Sequence, residues 1–296
     1  MAAPNPFDTL LQMAGGYCVP RCLHAVANLG VADALDDTPQ TAVTLAAATG
    51  ADSRALDRVL RLLSAYGVFE HRNGLIAHTP ASRLLRADHP QSMHGLVRMF
   101  GLPALWAVVG ELEHSIRTGA PCADRVLEGG FWGYLSAHPE ASRIFDQAMT
   151  AKAYGPKSLV WWPIMIFQGL VSLETEVKSD RLRLQAGDFF KDDLPSCDAY
   201  LIMEVIHDWD DAASSKILTA LRRATPRHAK VLLIEAILPD DVGPSWPKTL
   251  DIVMLTISGR QRTQREYSDL LSRCGFAMTQ EIDTRAGVSI IEAVPR

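Results

Sequence analysis

Three side chains in the C-terminal half have the types that acid–base chemistry uses. His207 stands in the run His207-Asp208-Trp209-Asp210-Asp211, Glu235 follows the apolar stretch Val231–Ile234, and Asp188 follows Gly187. A free histidine titrates near about pH 6.5, so at pH 7 it is largely neutral and accepts a proton, and a carboxylate beside it stabilises the resulting imidazolium. Each residue also has a plainer reading. Asp210 or Asp211 suits the cap of a following helix, Asp188 a turn after Gly187, and His207 a hydrogen-bonded loop. The adjacent His207, Asp208, Asp210 and Asp211 do not converge on one centre, so no metal site is expected.

The elements around these residues alternate between strand and helix. Ala199–Val205 and Val231–Ile234 are short, nearly continuous apolar runs, as in parallel strands buried on both faces. Arg181–Gln185 alternates charged and apolar residues like a strand with one exposed face. Between the two apolar runs, Ile217, Leu218 and Leu221 mark one face of a helix over Asp211–Ala224. Thr263 and Glu266 form a capping box that opens a helix over Gln264–Cys274, Gly275 closes it, and Val288–Val294 supplies a last strand. The pattern implies an open α/β sheet, whose ligands bind outside the carboxyl ends of the strands. Asp188, His207 and Glu235 all fall at that edge.

The N-terminal half reads differently. Thr38-Pro39 resembles the cap of a helix over Gln40–Thr49 that Gly50 ends, and Asp52-Ser53 cap a helix over Arg54–Tyr66. Asn73-Gly74 between Val68-Phe69 and Leu75-Ile76 is a hairpin signal, and Thr79-Pro80 starts another helix. Helix, helix and wing make a winged-helix unit, used either to read DNA or as a dimerisation lobe. The second helix carries Arg54, Arg58 and Arg61 but also Asp57, and its apolar face leaves few positions for base contacts. Residues 91–151 read as helical, with Met99, Phe100, Trp106, Phe131, Trp132, Tyr134, Phe145 and Met149 as core or as the lining of an apolar pocket. Cys18 and Cys22 read as buried small apolar residues.

Composition sets the outer bounds. The chain has 296 residues, 48% apolar and 21% charged, with a formal net charge of −5, which argues against a nucleic-acid role carried by overall charge. Met1–Thr9 lacks the pattern of a secretory signal, and Leu159–Phe167, interrupted by Pro163, is far short of the roughly 20 apolar residues of a membrane span. The five cysteines show no disulfide framework. A soluble, cytoplasmic protein is expected.

At His207-Asp208-Trp209-Asp210-Asp211 the chain resembles the two-domain S-adenosylmethionine-dependent O-methyltransferases shared by plant phenylpropanoid and bacterial polyketide-tailoring enzymes. Further matching stretches are Leu56 to Phe69, Phe131 to Tyr134, Arg143 to Met149, Gly187 to Phe190, Glu235 to Pro239, Asp251 to Leu255 and Gly259 to Thr263. The resemblance implies a winged-helix dimerisation domain over 1–100, a helical substrate-lobe connection over 101–151 and a truncated Rossmann-like domain over 152–296. It implies S-adenosylmethionine as cofactor, a small-molecule hydroxyl acceptor and a homodimer, with neither nucleic acid nor membrane as partner. His207 matches the general base, Glu235 the acid that orients it, and Gln261 the place of a second such acid. Asp188, Phe189 and Met203 match cofactor positions; Phe145, Met149, Asp208 and Met254 match positions near the acceptor.

Two departures stand out. Gln261 brings no charge where the family has an acid. Between Ala151 and Asp180 the family would have a strand, a glycine-rich loop, a helix, a second strand and an acidic residue for the ribose. Gly155 and Gly169 are isolated there, no G-x-G occurs, and one βαβ unit alone takes about 30 residues. The first cofactor strand and its loop are therefore expected to be missing or replaced, with Glu174 or Glu176 able to stand in for the ribose acid. This leaves a second reading, a degenerate homologue that binds a ligand or partner, and a third, a winged-helix regulator.

Overall fold

In the computed structural model, which describes residues 5–153, 188–285 and 287–296, the described chain divides into two units. One comprises residues 5–106 with 138–153; the other comprises 107–137 with 188–285 and 287–296. Residues 101–151 are shared between them.

The first unit is built on helices with one small sheet. Asp52 caps the helix Ser53–Ala65 by accepting from the N–H groups of Arg54 and Ala55 at 3.1 and 2.9 Å. Leu56, Leu60 and Leu63 then fall on one buried face, each contributing about 1.5–3 kcal/mol when removed from water. They pack with Val26, Val31, Leu35, Leu45, Phe69 and Ile76. Asn73 and Gly74 have φ of +51° and +75°, the left-handed pair that a tight hairpin of twisted strands requires. They join β2 (Phe69–Arg72) to β3 (Leu75–His78).

Two details here differ from the sequence expectation. Gln40 and Thr41 do not open a helix. They form β1 (Gln40–Thr41) against the free edge of β3, opposite Ile76 and Leu75. Thr41, rather than Thr38-Pro39, then caps the helix Ala42–Thr49, accepting from Thr44 N–H at 3.1 Å. Cys18 is exposed, because it opens the helix Cys18–Asn28, whose buried residues are His24, Val26 and Ala27.

In the second unit the described sheet has the order β4-β5-β7-β6. β4 (Ala199–Met203) and β5 (Lys230–Glu235) are parallel, with the helix Asp211–Ala224 crossing between them. β7 (Ser289–Pro295) lies antiparallel to both β5 and β6 (Phe276–Asp283), so the sheet is mixed. Periodicity missed β6 because polar Thr279, Gln280, Glu281 and Asp283 crowd its half-exposed length. Ile202, Ile206, Leu218, Val231, Leu233 and Phe276 are among the residues of the core, covered by Tyr267, Leu270 and Leu271 of the helix Gln264–Arg273. That helix opens on the expected capping box of Thr263 and Glu266. The expectations on Gly155, Leu159–Phe167, Gly169, Glu174, Glu176 and Arg181–Gln185 lie outside the described residues. Among the described residues, no helix is long and apolar enough to cross a membrane.

Candidate active site

The site begins where β4 stops. Glu204, buried and with φ +51°, turns the chain out of the strand, and a short 3-10 turn, Ile206–Asp208, follows. Asp210 then caps the helix Asp211–Ala224, its carboxylate accepting from Ala213 N–H at 2.7 Å. The turn leaves His207 only 4% exposed.

Glu235 is the last residue of β5, the parallel neighbour of β4, and is fully buried. A buried carboxylate is tolerated only when its lone pairs are used. Here one oxygen accepts from Val205 N–H at 3.2 Å and Ile206 N–H at 2.8 Å, and the other lies 2.6 Å from His207 Nδ1. An ionised carboxylate only accepts, so the ring proton belongs on Nδ1 and the lone pair on Nε2. Asp208 is half-buried, with an oxygen 3.5 Å from Nε2. The imidazole is thus held in the tautomer that a proton acceptor needs.

Two residues hold this turn from behind. Arg262, 1% exposed, donates to the carbonyls of Ile206 at 3.1 Å and Trp209 at 3.0 Å, on either side of His207. It also donates to Ser214 Oγ at 3.2 Å and reaches Asp211 Oδ1 at 2.8 and 3.0 Å. Burial alone would raise the Asp211 carboxyl, but Arg262, together with Arg260 and Arg273, outweighs it and holds the group below its ordinary value. Gly259 is a position of close approach. A Cβ there would stand 2.3 Å from the His207 carbonyl oxygen and 3.1 Å from Met254 Sδ. The next residue, Arg260, donates its N–H to that same carbonyl at 2.9 Å. Arg262 went unread in the sequence because nothing in Gly259-Arg260-Gln261-Arg262-Thr263 tells an inward arginine from a surface one.

The expected residues are brought together unevenly. His207, Asp208, Glu235 and Met254 share this corner, Met254 through the Gly259 approach. Met203 is the buried last residue of β4. Gln261 is 1% exposed, and neither Oε1 nor Nε2 has a hydrogen-bond partner among the described residues, so it does not orient the imidazole by a hydrogen bond. Phe145 and Met149 are half-buried on the helix Pro139–Ala153 of the first unit.

Asp188 sits in a turn of its own, accepting from Phe190 N–H at 2.9 Å and pairing with Lys191 at 2.7 Å. Lys191, with the Phe190 N–H, keeps its carboxyl below the ordinary range. Phe189 and Phe190 meet Trp209 edge-on, with centroids 6.2 and 4.9 Å away, and Trp132 stacks on Trp209 at 6.4 Å. Trp209 Nε1 is buried with no partner among the described residues.

A mixed α/β sheet in one unit, with helices and a small sheet in the other, makes a methyltransferase fold with an N-terminal dimerisation domain. Residues 166–277 match the model of the O-methyltransferase domain, and residues 11–88 that of the O-methyltransferase dimerisation domain. Phenazine O-methyltransferase PhzM of Lysobacter antibioticus is 34% identical, over 97% of this chain and 95% of its own. An 8-amino-8-demethylriboflavin N,N-dimethyltransferase of Streptomyces davaonensis is 31% identical, over 86% and 85%. The crystal structure of LaPhzM superposes with a TM-score of 0.87 at 31% identity, over 99% of this chain and 100% of that one. The chain belongs to the O-methyltransferase family.

The family's methyl donor is S-adenosylmethionine. Its nucleoside end asks for an aromatic face and polar neighbours, and the described residues fit that end. Phe189, Phe190, Trp209 and Trp132 would offer the rings, the Trp209 indole N–H, without a partner among the described residues, a donor, and Asp188 a carboxylate.

Proposed function

We propose that His207 is the general base of an O-methyl transfer to a hydroxyl of a small aromatic or polyketide-like acceptor. The observation that carries this reading is the 2.6 Å contact between His207 Nδ1 and a fully buried Glu235. It fixes the ring and leaves Nε2 to take the hydroxyl proton. Phenols ionise only near about pH 10, so a placed base supplies the better nucleophile at neutral pH. When bound, S-adenosylmethionine supplies an electrophilic methyl group on a cationic sulfur. Asp188, Phe189 and Met203 serve the cofactor end, and Asp208 and Met254 flank the acceptor. Glu235 stabilises the imidazolium once His207 holds the proton.

One observation favours a second reading, a homologue with impaired cofactor binding that acts as a ligand- or partner-binding homodimer. The match to the Lysobacter enzyme runs over 328 positions, yet 97% of 296 residues is about 287, so about 41 positions have no residue here. That is the size of one strand–loop–helix–strand unit, and no G-x-G lies between Ala151 and Asp188. One pair of measurements separates the readings. Calorimetric titration with S-adenosylhomocysteine should give heat on both the unaltered chain and His207→Ala, while methyl transfer to a phenolic acceptor falls by about 10²–10⁴-fold in the variant. Absence of heat at millimolar ligand selects the second reading. Undiminished turnover in His207→Ala removes His207 as the base.

A further inference from the structure

Gln261 lies between the two segments that carry the acid–base pair. On one side Arg260 N–H holds the His207 carbonyl at 2.9 Å; on the other, Arg262 pairs with Ile237, just beyond Glu235, and its carbonyl accepts from Leu238 N–H at 3.0 Å. The backbone between them is pinned as well, since Gln261 N–H donates to Asp251 Oδ1 at 2.8 Å. The side chain is buried with it, at 1% exposure, and both ends of the amide lack a partner among the described residues. A buried amide left unpaired opposes folding, and buried polar groups of this kind call for an explanation. Glutamine is long and flexible, so a surface-facing rotamer would hydrate it if the local packing did not hold it inside.

We propose that Gln261 reads the acceptor: its amide N–H donates to a carbonyl or carboxylate oxygen on the ring carbon next to the reacting hydroxyl. This rests on the reading of His207 as the base. Charge supports the assignment. Glu235 and Asp208 already place two carboxylates at the imidazole, and Arg262 is turned to Asp211 and to backbone carbonyls. An acid at position 261 would repel an oxygen-rich acceptor, whereas a neutral amide offers it a donor. A site built to hydrogen-bond a substrate oxygen rejects the analogue lacking it, because the protein group is then left unpaired.

The test uses one ring with and without the neighbouring oxygen, 3-hydroxy-2-naphthoate and 2-naphthol, titrated calorimetrically into the unaltered chain, Gln261→Leu and Gln261→Glu. The unaltered chain should prefer the carboxylate-bearing ring by about tenfold or more. Gln261→Leu should bring the two affinities within about twofold and, free of ligand, melt about 2–4 °C higher because an unsatisfied amide is gone. Gln261→Glu should invert the preference. A lower melting temperature for Gln261→Leu would mean that the protein itself satisfies the amide, and would overturn the assignment whatever the ligands do. Persistence of the preference in Gln261→Leu overturns it while leaving His207 as base untouched. If neither ring binds the unaltered chain, the assignment falls too, and loss of turnover in His207→Ala remains the separate judge of the base.

Discussion

Glu235 shows how much rests on one carboxylate. Its two oxygens face opposite tasks, one gathering the N–H groups of Val205 and Ile206 and the other holding His207 Nδ1. A glutamine has a single acceptor oxygen, so Glu235→Gln must set an N–H donor against a donor at one end. We expect methyl transfer to drop by about 10²–10⁴-fold, as for other histidines that lose their tautomer-fixing acid, with S-adenosylhomocysteine affinity unchanged by calorimetry. Equal loss of affinity would place Glu235 in binding instead. That His207 and Glu235 would lie together was legible in the sequence, because both follow apolar runs that end as neighbouring parallel strands. The unpaired state of Gln261 was not legible, since it depends on burial that spacing does not reveal.

The 3-10 turn Ile206–Asp208 has little cohesion of its own, and its shape comes from outside it. Arg262 binds a carbonyl on each side, and Gly259 allows a neighbouring strand of backbone to come close enough for Arg260 to bind the third. Replacing Arg262 with Met should cost about 2–3 kcal/mol in urea unfolding, the sum expected for orphaned buried carbonyls, and should reduce turnover through misplacement of His207. Arg262→Lys should recover part of the stability and little of the turnover. The pH dependence has a definite sign. Asp211 is held below its ordinary value of 3.8 when folded. Its contribution is therefore full above that value and fades as pH falls through the lower folded one. The urea midpoint of Asp211→Asn should thus fall less steeply than that of the unaltered chain as pH drops below about 4. Identical profiles would show that Asp211 contributes nothing through Arg262. Among elements, the Asn73-Gly74 hairpin and the Thr263–Glu266 box were readable because a few local residues decide them. The start of the helix Ala42–Thr49 was not, because β3 sits far along the chain and its unpaired edge drew Gln40 and Thr41 away.

At the scale of the whole molecule, the helix Pro6–Gly15 stands out. None of its residues is buried, and Phe7, Leu10, Leu11 and Met13 are 62–76% exposed. Its C-terminal part falls in the residues that match the dimerisation model, which begins at 11. Such apolar side chains, in a chain with a dimerisation domain, are where we expect a second copy to dock, at about 1.5–3 kcal/mol for each one fully buried. Leu10→Glu combined with Met13→Glu should therefore move the protein toward monomer in sedimentation at micromolar concentration. An unchanged association state would show that this helix does not carry the contact. The two-lobed plan itself was visible as the change from helical spacing to alternating strands and helices. The mixed order of the sheet was not, since β6 went unread and nothing in Val288–Val294, read as a strand, reveals the direction in which it pairs.

That order has a consequence for how the protein is made. β7, which follows the other described strands in sequence, is inserted between β5 and β6, and its first residue, Ser289, lies opposite Glu235. His207, Glu235 and Gln261 all precede residues 289–295 along the chain, so a chain growing from its N-terminus carries them before it has β7. Until those last residues slot in, the carboxylate behind His207 has water where a strand should be. A growing chain thus carries its reactive groups before it has the strand that dries them, and β7 closes the sheet beside Glu235 only once it is made.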